Sequence, residues 1–428
     1  MEKYAGRETL GREPVEVIDL DSRHNPAESI SLTYYIKTKG DLVEVAKEIA
    51  RDETTGKWID KGKPTDVFNR AQADCFRVER YGQNEGVIHV RSPLYNIDLD
   101  SDILYQFMML TIGGPILEFV YYENVAFLDF ELPKRLLKKF SGPKFGIKGT
   151  RKILKLADDR PIIGTIVKPC AGLTPKEVAR KCYEAALGGC RFIKDDEKMF
   201  GPDYCRAEKK IKLVVEKLND AERKTGMKTI YAPHIVARPD RISDFCKQVI
   251  EWGASGLMFN PIVQGMGTLQ MLAEDPEINV PIYAHSGGRS GWSTGPRRVD
   301  DVVMVKLLRL AGGDYFQTGV MNQRECHVAS LCPEMLIRLY EVMNEPMDDV
   351  RDMVVVTAGG LGAGNIVDQL KAFGANFMGL AGTSILKHPM GIKAGVDAML
   401  QAVEAFHAGK EVVDYAKDHE ELRVALGM

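Results

Sequence analysis

At 428 residues the chain exceeds what one hydrophobic core usually holds, so two domains, or a large barrel with an appended domain, are expected. Apolar residues at 45% and charged residues at 27%, with no Ser-, Gln- or Pro-rich tract, exclude a disordered chain. A formal net charge of −3, with Lys and Arg spread along the sequence, leaves no basic stripe for nucleic acid.

The first residues lack the apolar region of a signal peptide, and no apolar run approaches the roughly 20 residues of a membrane span. A cytoplasmic protein with neither nucleic acid nor membrane as partner is therefore expected. The eight cysteines (Cys75, Cys170, Cys182, Cys190, Cys205, Cys246, Cys326 and Cys332) form no C-x-x-C pair. They read as buried free thiols rather than as a zinc site.

Residues 1–140 mix strand-like Ser31–Thr38, Asp74–Glu79 and Gly86–Pro93 with helical Gly40–Arg51 and Ile103–Leu110, an α+β pattern. The Gly- and Pro-rich stretch from Phe140 to Gly146 marks the junction, giving an N-terminal α+β domain over 1–145 and a second domain over 146–428. From there short β-rich runs alternate with amphipathic helices. The runs are Ile162–Lys168, Phe192–Asp196, Thr229–Pro233, Gly256–Asn260, Pro281–His285, Asp314–Thr318, Met353–Thr357 and Asn376–Gly379.

Eight such strands predict a closed parallel barrel, an α/β fold of the TIM (β/α)8 type, better than an open sheet of six. Helix signals agree: Thr174-Pro175-Lys176-Glu177 is a capping box whose helix ends at Gly188-Gly189. Gly253, Gly256, Gly312-Gly313 and Gly374 each fall between a helix and the next strand. Ala394–His407 and Tyr415–Leu426 read as C-terminal helices.

In such a barrel the chemistry lies at the C-terminal ends of the strands. The second strand leaves in Lys194-Asp195-Asp196-Glu197. With a side-chain period of two, Lys194 and Asp196 share one face, Asp195 points the other way and Glu197 follows in the loop. A hard divalent cation such as Mg²⁺ takes oxygen ligands, which two carboxylates supply. The amine of Lys194 becomes such a ligand only if it adds CO₂ to form a carbamate.

The string Gly188-Gly189-Cys190-Arg191-Phe192-Ile193-Lys194-Asp195-Asp196-Glu197 resembles the activation motif of the rubisco large-subunit superfamily. Gly164–Pro169 resembles that family's first barrel strand, and Phe140–Gly146 the Gly-Pro-x-Phe-Gly stretch leading into its barrel. Arg309–Asp314 and His388-Pro389-Met390-Gly391 resemble the motifs before strand six and after strand eight. The resemblance runs along nearly the whole chain.

What it implies is a carbamylated Lys194 joined by Asp196 and Glu197 around Mg²⁺, with Lys168 and His285 as catalytic residues. It further implies that Asn124 reaches the site of a neighbouring subunit in a homodimer or an assembly of dimers. A phosphate site is implied on the turns Gly359-Gly360 and Gly382-Thr383, with Lys57 and Trp58 contributing from the partner. The base, a carbamate oxygen or Lys168, stays open.

The sequence departs from the carboxylases of that family in a consistent way. Ser286, Gln317 and Ala358 stand where those enzymes hold a second phosphate with Arg, His and Ser. The loop Gly319–Cys326 lacks their lysine, with Arg324 the nearest cation, Cys170 replaces the second lysine of their Lys-Pro-Lys, and the N-domain glutamate is Asp52 or Glu53. Arg289 is a candidate for a replacement anion contact. The expected function is Mg²⁺-dependent enolisation of a phosphorylated keto-substrate by a rubisco-like isomerase or lyase. A genuine ribulose-1,5-bisphosphate carboxylase and a catalytically silent binding protein are the alternatives.

Overall fold

A computed structural model of the chain describes residues 12–119, 122–321 and 332–428. Two compact units emerge: Met1–Phe140 with Gly288–Leu307 and Met347–Val350, and Ser141–Gly287 with Leu308–Pro346 and Arg351–Met428.

The first unit is built on a mixed six-stranded sheet. Its strands are β1 (Glu16–Asp19), β2 (Ser29–Lys37), β3 (Asp74–Gly82), β4 (Glu85–Pro93), β5 (Asn124–Glu131) and, from far along the chain, β11 (Arg297–Val299). Their order is β1-β3-β4-β2-β5-β11; all pairs are antiparallel except β5 with β11, where Arg297 lies opposite Val125. Helix Leu42–Asp52 starts where Asp41 accepts from the backbone N–H groups of Val43 and Glu44. Its buried stripe, Leu42, Val45, Ala46, Ile49 and Ala50, follows the 3.6-residue period. Tyr34 stacks on Phe127 at 4.9 Å and Phe107 lies 4.6 Å from Phe130, so aromatic burial dominates this core.

The second unit carries β6 (Ile162–Ile166), β7 (Phe192–Lys194), β8 (Ile230–Ala232), β9 (Leu257–Phe259), β10 (Ile282–Ala284), β12 (Tyr315–Thr318), β13 (Val354–Ala358) and β14 (Phe377–Leu380). Each lies inside or within a residue of an expected run. The order β8-β7-β6-β14-β13-β12-β10-β9 is parallel throughout, and the ring is closed by one bridge, His234 opposite Met258. The interior is filled by Ile162, Phe192, Ile230, Met258, Tyr283, Tyr315, Val354, Val356 and Met378, a packed barrel core. Phe192 meets Tyr315 edge-on at 5.3 Å and stacks on Tyr283 at 5.8 Å.

The capping box at Thr174 forms, with Glu177 returning to the Thr174 backbone, and its helix Pro175–Leu187 is capped by Gly188. At the turn before β12, Gly312 has φ +92°, and a Cβ there would meet that of Ala273 at 2.3 Å, so only glycine fits. The C-terminal helix Ile392–His407 forms nearly as expected. Tyr415–Leu426 is broken: Val412–Tyr415 runs into a 3₁₀ turn at Ala416–Asp418, and Glu420–Ala425 follows. Of the described cysteines, all free, Cys75, Cys182, Cys190, Cys205 and Cys246 are buried, whereas Cys170 is half-buried and Cys332 exposed; Cys326 lies outside the described residues. No helix among the described residues is long and apolar enough to cross a membrane.

Candidate active site

Three barrel strands deliver the candidate catalytic residues of the second unit to one end. β6 runs out to Lys168, β7 into Lys194, Asp196 and Glu197, and β10 into His285. Lys168 Nζ donates to Asp196 Oδ2 and, at 3.2 Å, to Cys170 Sγ. Asp196 is fully buried; the side chain of Lys168 remains 40% exposed. Burial draws the Lys168 pKa down, but its hydrogen bonds to Asp196 and Cys170 outweigh this and hold it above the ordinary lysine value. Lys168 is therefore an ammonium.

Lys194 differs. It is fully buried, its Nζ donates to the carbonyl of Asp195 at 3.0 Å, and it lies 5.5 Å from the ring centre of Tyr283. Burial pushes its pKa down to about 8, with the attraction of Glu197 and Asp196 opposing and the charge of Lys168 assisting. The amine thus releases its proton at about pH 8, far more readily than an ordinary lysine.

The Nδ1 atom of His285 accepts from the backbone N–H of Gly287 at 3.0 Å, so the proton of the neutral ring sits on Nε2, facing Glu197 Oε2 at 3.5 Å. Burial holds His285 below the ordinary histidine pKa, while the hydrogen bond from His285 holds Glu197 well below the usual carboxylate range. The pair is a neutral imidazole beside an ionised carboxylate.

Asp195 faces away from this cluster, as alternation along β7 requires. Its carboxylate accepts from Lys210, from the hydroxyl of Tyr231 at 2.8 Å and from the N–H of His234 at 3.2 Å. His234 itself is kept neutral by burial, which pushes its pKa down to about 4. Neither it nor Lys210, Tyr231 or Tyr283 is anticipated by the sequence reading. His234 follows a barrel strand directly, and the rule that polar residues at strand ends are functional candidates selects it.

The two glycine-rich turns lie after β13 and β14. Gly359 and Gly360 have φ +89° and +87°, so consecutive residues take a conformation closed to most side chains. Thr383 opens the short helix Thr383–Leu386 directly after Gly382. Gln317, at the end of β12, accepts from Tyr283 Oη at 3.0 Å.

The remaining candidates belong to the first unit. Trp58 packs edge-on against Phe68 at 5.0 Å, Lys57 is exposed, and Asn124 opens β5 with a buried Oδ1 that has no hydrogen-bond partner. Arg289 is buried and donates to Asp301 at 2.8 Å. Glu53 turns inward to accept from Ile116 N at 2.7 Å, and burial raises its pKa to about 8; Asp52 pairs with Arg51 instead. Arg324 and most of its loop lie outside the described residues.

The chain matches the family model of the ribulose bisphosphate carboxylase large chain, catalytic domain, over residues 146–428 and that of its N-terminal domain over 18–136. It is 32% identical over 338 residues to a ribulose bisphosphate carboxylase of Methanosarcina barkeri, covering 74% of this chain and 77% of the relative. To the 3-oxo-isoapionate-4-phosphate decarboxylase of Rhizobium rhizogenes it is 30% identical over 420 residues, 93% of this chain and 98% of the other. The octameric rubisco of Pyrococcus horikoshii, solved with sulfate, is similar at a TM-score of 0.87 and 26% identity over 95% of each chain. On the strength of both domain matches and of this barrel, the chain belongs to the ribulose bisphosphate carboxylase large-chain family.

Proposed function

We propose that the protein is a rubisco-like enzyme: it enolises a singly phosphorylated keto-substrate and completes a tautomerisation, isomerisation or decarboxylation. The observation that carries this reading is the convergence of Lys168, Lys194, Asp196, Glu197 and His285 at the ends of three barrel strands. A Mg²⁺ ion fits the donors. Asp196 and Glu197 offer carboxylate oxygens, and a buried amine with a pKa near 8 is suited to adding CO₂ as a carbamate. Among the described residues no three His, Cys, Asp or Glu side chains gather to hold a metal; a carbamate on Lys194 would add a third anionic oxygen to those of Asp196 and Glu197. Bound there, the ion would polarise the substrate carbonyl and lower the pKa of the adjacent C–H.

The chain's own residues supply the rest. Lys168, as an ammonium on a partly exposed side chain, donates to the substrate oxygen on which negative charge grows. His285 holds Glu197 ionised through its Nε2 proton. The Gly359-Gly360 and Gly382-Thr383 turns present backbone N–H groups to one phosphate.

Loss of the second phosphate's holders argues against a bisphosphate. Ser286, Gln317 and Ala358 offer no cation, Gln317 is engaged by Tyr283, and Arg289 is engaged by Asp301. Each charge-assisted bond to phosphate contributes about 1.5–3 kcal/mol, so losing two or three weakens bisphosphate binding by orders of magnitude. The decarboxylase relative, whose name specifies a monophosphate, fits this reading.

The test is solvent deuterium exchange in Mg²⁺ and bicarbonate across mono- and bisphosphorylated ketoses. Exchange confined to a monophosphate is the expected result. Fixation of ¹⁴CO₂ onto ribulose-1,5-bisphosphate at about one turnover per second would overturn it. That outcome would establish carboxylation, the second reading, which the Methanosarcina barkeri relative favours.

A further inference from the structure

The mechanism above makes no use of Asp195, yet every polar group of that residue is engaged. Its carboxylate takes Lys210, from helix Ala207–Thr225, together with Tyr231 from β8 and the backbone N–H of His234. Its own N–H donates to Ala232 O at 3.2 Å, and its carbonyl accepts Lys194 Nζ at 3.0 Å. Asp195 is fully buried and Lys210 is 2% exposed.

Such an ion pair is a poor source of stability. Desolvating both charges cancels most of their attraction, and apolar residues of similar size often serve as well or better. What a saturated buried carboxylate does supply is direction, because each of its partners fixes it along a different line. Here the lines come from a helix, the neighbouring strand and the turn after that strand. The residue they fix is bonded to Lys194 on one side and Asp196 on the other, and its carbonyl is the acceptor for Lys194 Nζ.

We propose that Asp195, clamped by Lys210 and Tyr231, is a positioning residue: it sets Lys194 Nζ and the Asp196 carboxylate for carbamate formation and cation binding. The inference rests on the carbamate reading given under the proposed function. If the clamp loosens, Asp195 is held only by its backbone bonds to Ala232 O and Lys194 Nζ, and the amine and carboxylate on either side of it are set less firmly on their common face. The effect is on assembly of the site and not on the charge of any group within it.

The test uses the full-length protein, ¹³C-labelled bicarbonate and a Mg²⁺ titration, with the carbamate carbon read by ¹³C NMR and thermal unfolding followed in parallel. The variants are Tyr231→Phe and the double substitution Asp195→Leu/Lys210→Met, which replaces the pair by apolar side chains. Wild type is expected to show a carbamate signal that Lys194→Ala lacks. Tyr231→Phe is expected to unfold near the wild-type temperature and the double variant, which leaves the Tyr231 hydroxyl and the His234 N–H without their acceptor, at a lower temperature but still cooperatively; both are expected to need about tenfold more Mg²⁺ for half-occupancy, the weight of one lost hydrogen bond. A folded double variant that forms carbamate at wild-type Mg²⁺ overturns the clamp while leaving the carbamate intact. Failure of both variants to fold assigns the pair to stability and overturns it equally. Absence of carbamate in wild type would remove the underlying reading instead.

Discussion

Lys168 and Asp196, carried past the ends of neighbouring barrel strands, form an ion pair whose carboxylate is sealed from solvent while the lysine side chain stays partly exposed. The same carboxylate is a proposed cation ligand, so Lys168 and the cation draw on one group. Lys168→Met is expected to lower kcat by about 10²–10⁴, the usual range for a lost acid or base, while binding of Mn²⁺ as a spectroscopic probe is unchanged or tighter. A variant that lost both together would make Lys168 a structural partner of Asp196 only.

Carbamate formation requires the neutral amine, so its pH dependence should follow Lys194. With the pKa near 8, CO₂-dependent activation at fixed dissolved CO₂ is expected to rise through a midpoint near pH 8 and to level off above about pH 9.5. Initial rates after timed exposure to CO₂ and Mg²⁺ measure it. A midpoint near the ordinary lysine value of 10.5 would contradict the burial argument.

The same burial has a cost in stability. The folded chain holds fewer protons on Lys194 than the unfolded chain between pH 8 and 10.5, so stability rises with pH through that window, and the full penalty applies below it. Two and a half pKa units correspond to something on the order of 3 kcal/mol. Lys194→Met is therefore expected to raise Tm at pH 7, less whatever Asp196 and Glu197 lose, and to forfeit that advantage by pH 10. Melting both proteins across this range checks the sign.

Restoring cations at the lost phosphate positions should restore bisphosphate affinity. Ser286→Arg, Gln317→His and Ala358→Ser combined are expected to tighten ribulose-1,5-bisphosphate binding at least about tenfold, on the lower bound for one charged hydrogen bond. Calorimetry on Mg²⁺-loaded protein reads it. Unchanged affinity would place the second phosphate of any bisphosphate elsewhere.

If Asn124 completes a neighbour's site, Asn124→Ala and Lys194→Ala proteins are each inactive, yet a mixed dimer carries one site intact at both positions. About half of wild-type activity per heterodimer is expected, half of the two sites being whole. Verified heterodimers without activity would place both residues in one subunit's site.

The barrel was legible because its strands are short apolar runs set off by glycines, and each polar strand end stood out against them. Three strands of the other sheet were not. Glu16–Asp19 is short and largely exposed, and Arg297–Val299 is a three-residue strand with two arginines, so neither alternates clearly. Asn124–Glu131 buries Val125, Ala126 and Phe127 in succession, which blurs the two-residue period of a strand. Among site residues, Lys194, Asp196 and Glu197 stood together in sequence, whereas Lys210 and Tyr231 meet Asp195 from 15 and 36 residues away, a distance that no local pattern spans.

The placement of β11 limits how this chain can be divided. It hydrogen-bonds in parallel to β5, with Arg297–Val299 set against Val125–Phe127, 172 residues earlier in the chain. A fragment ending at Phe140 would leave the outer edge of β5 bare, with unpaired backbone groups inviting association with another copy. Gene fission or circular permutation between residues 140 and 297 would thus have to bring Arg297–Val299 back to its place before the N-terminal sheet could close its edge. The two units are in this sense inseparable by a single cut.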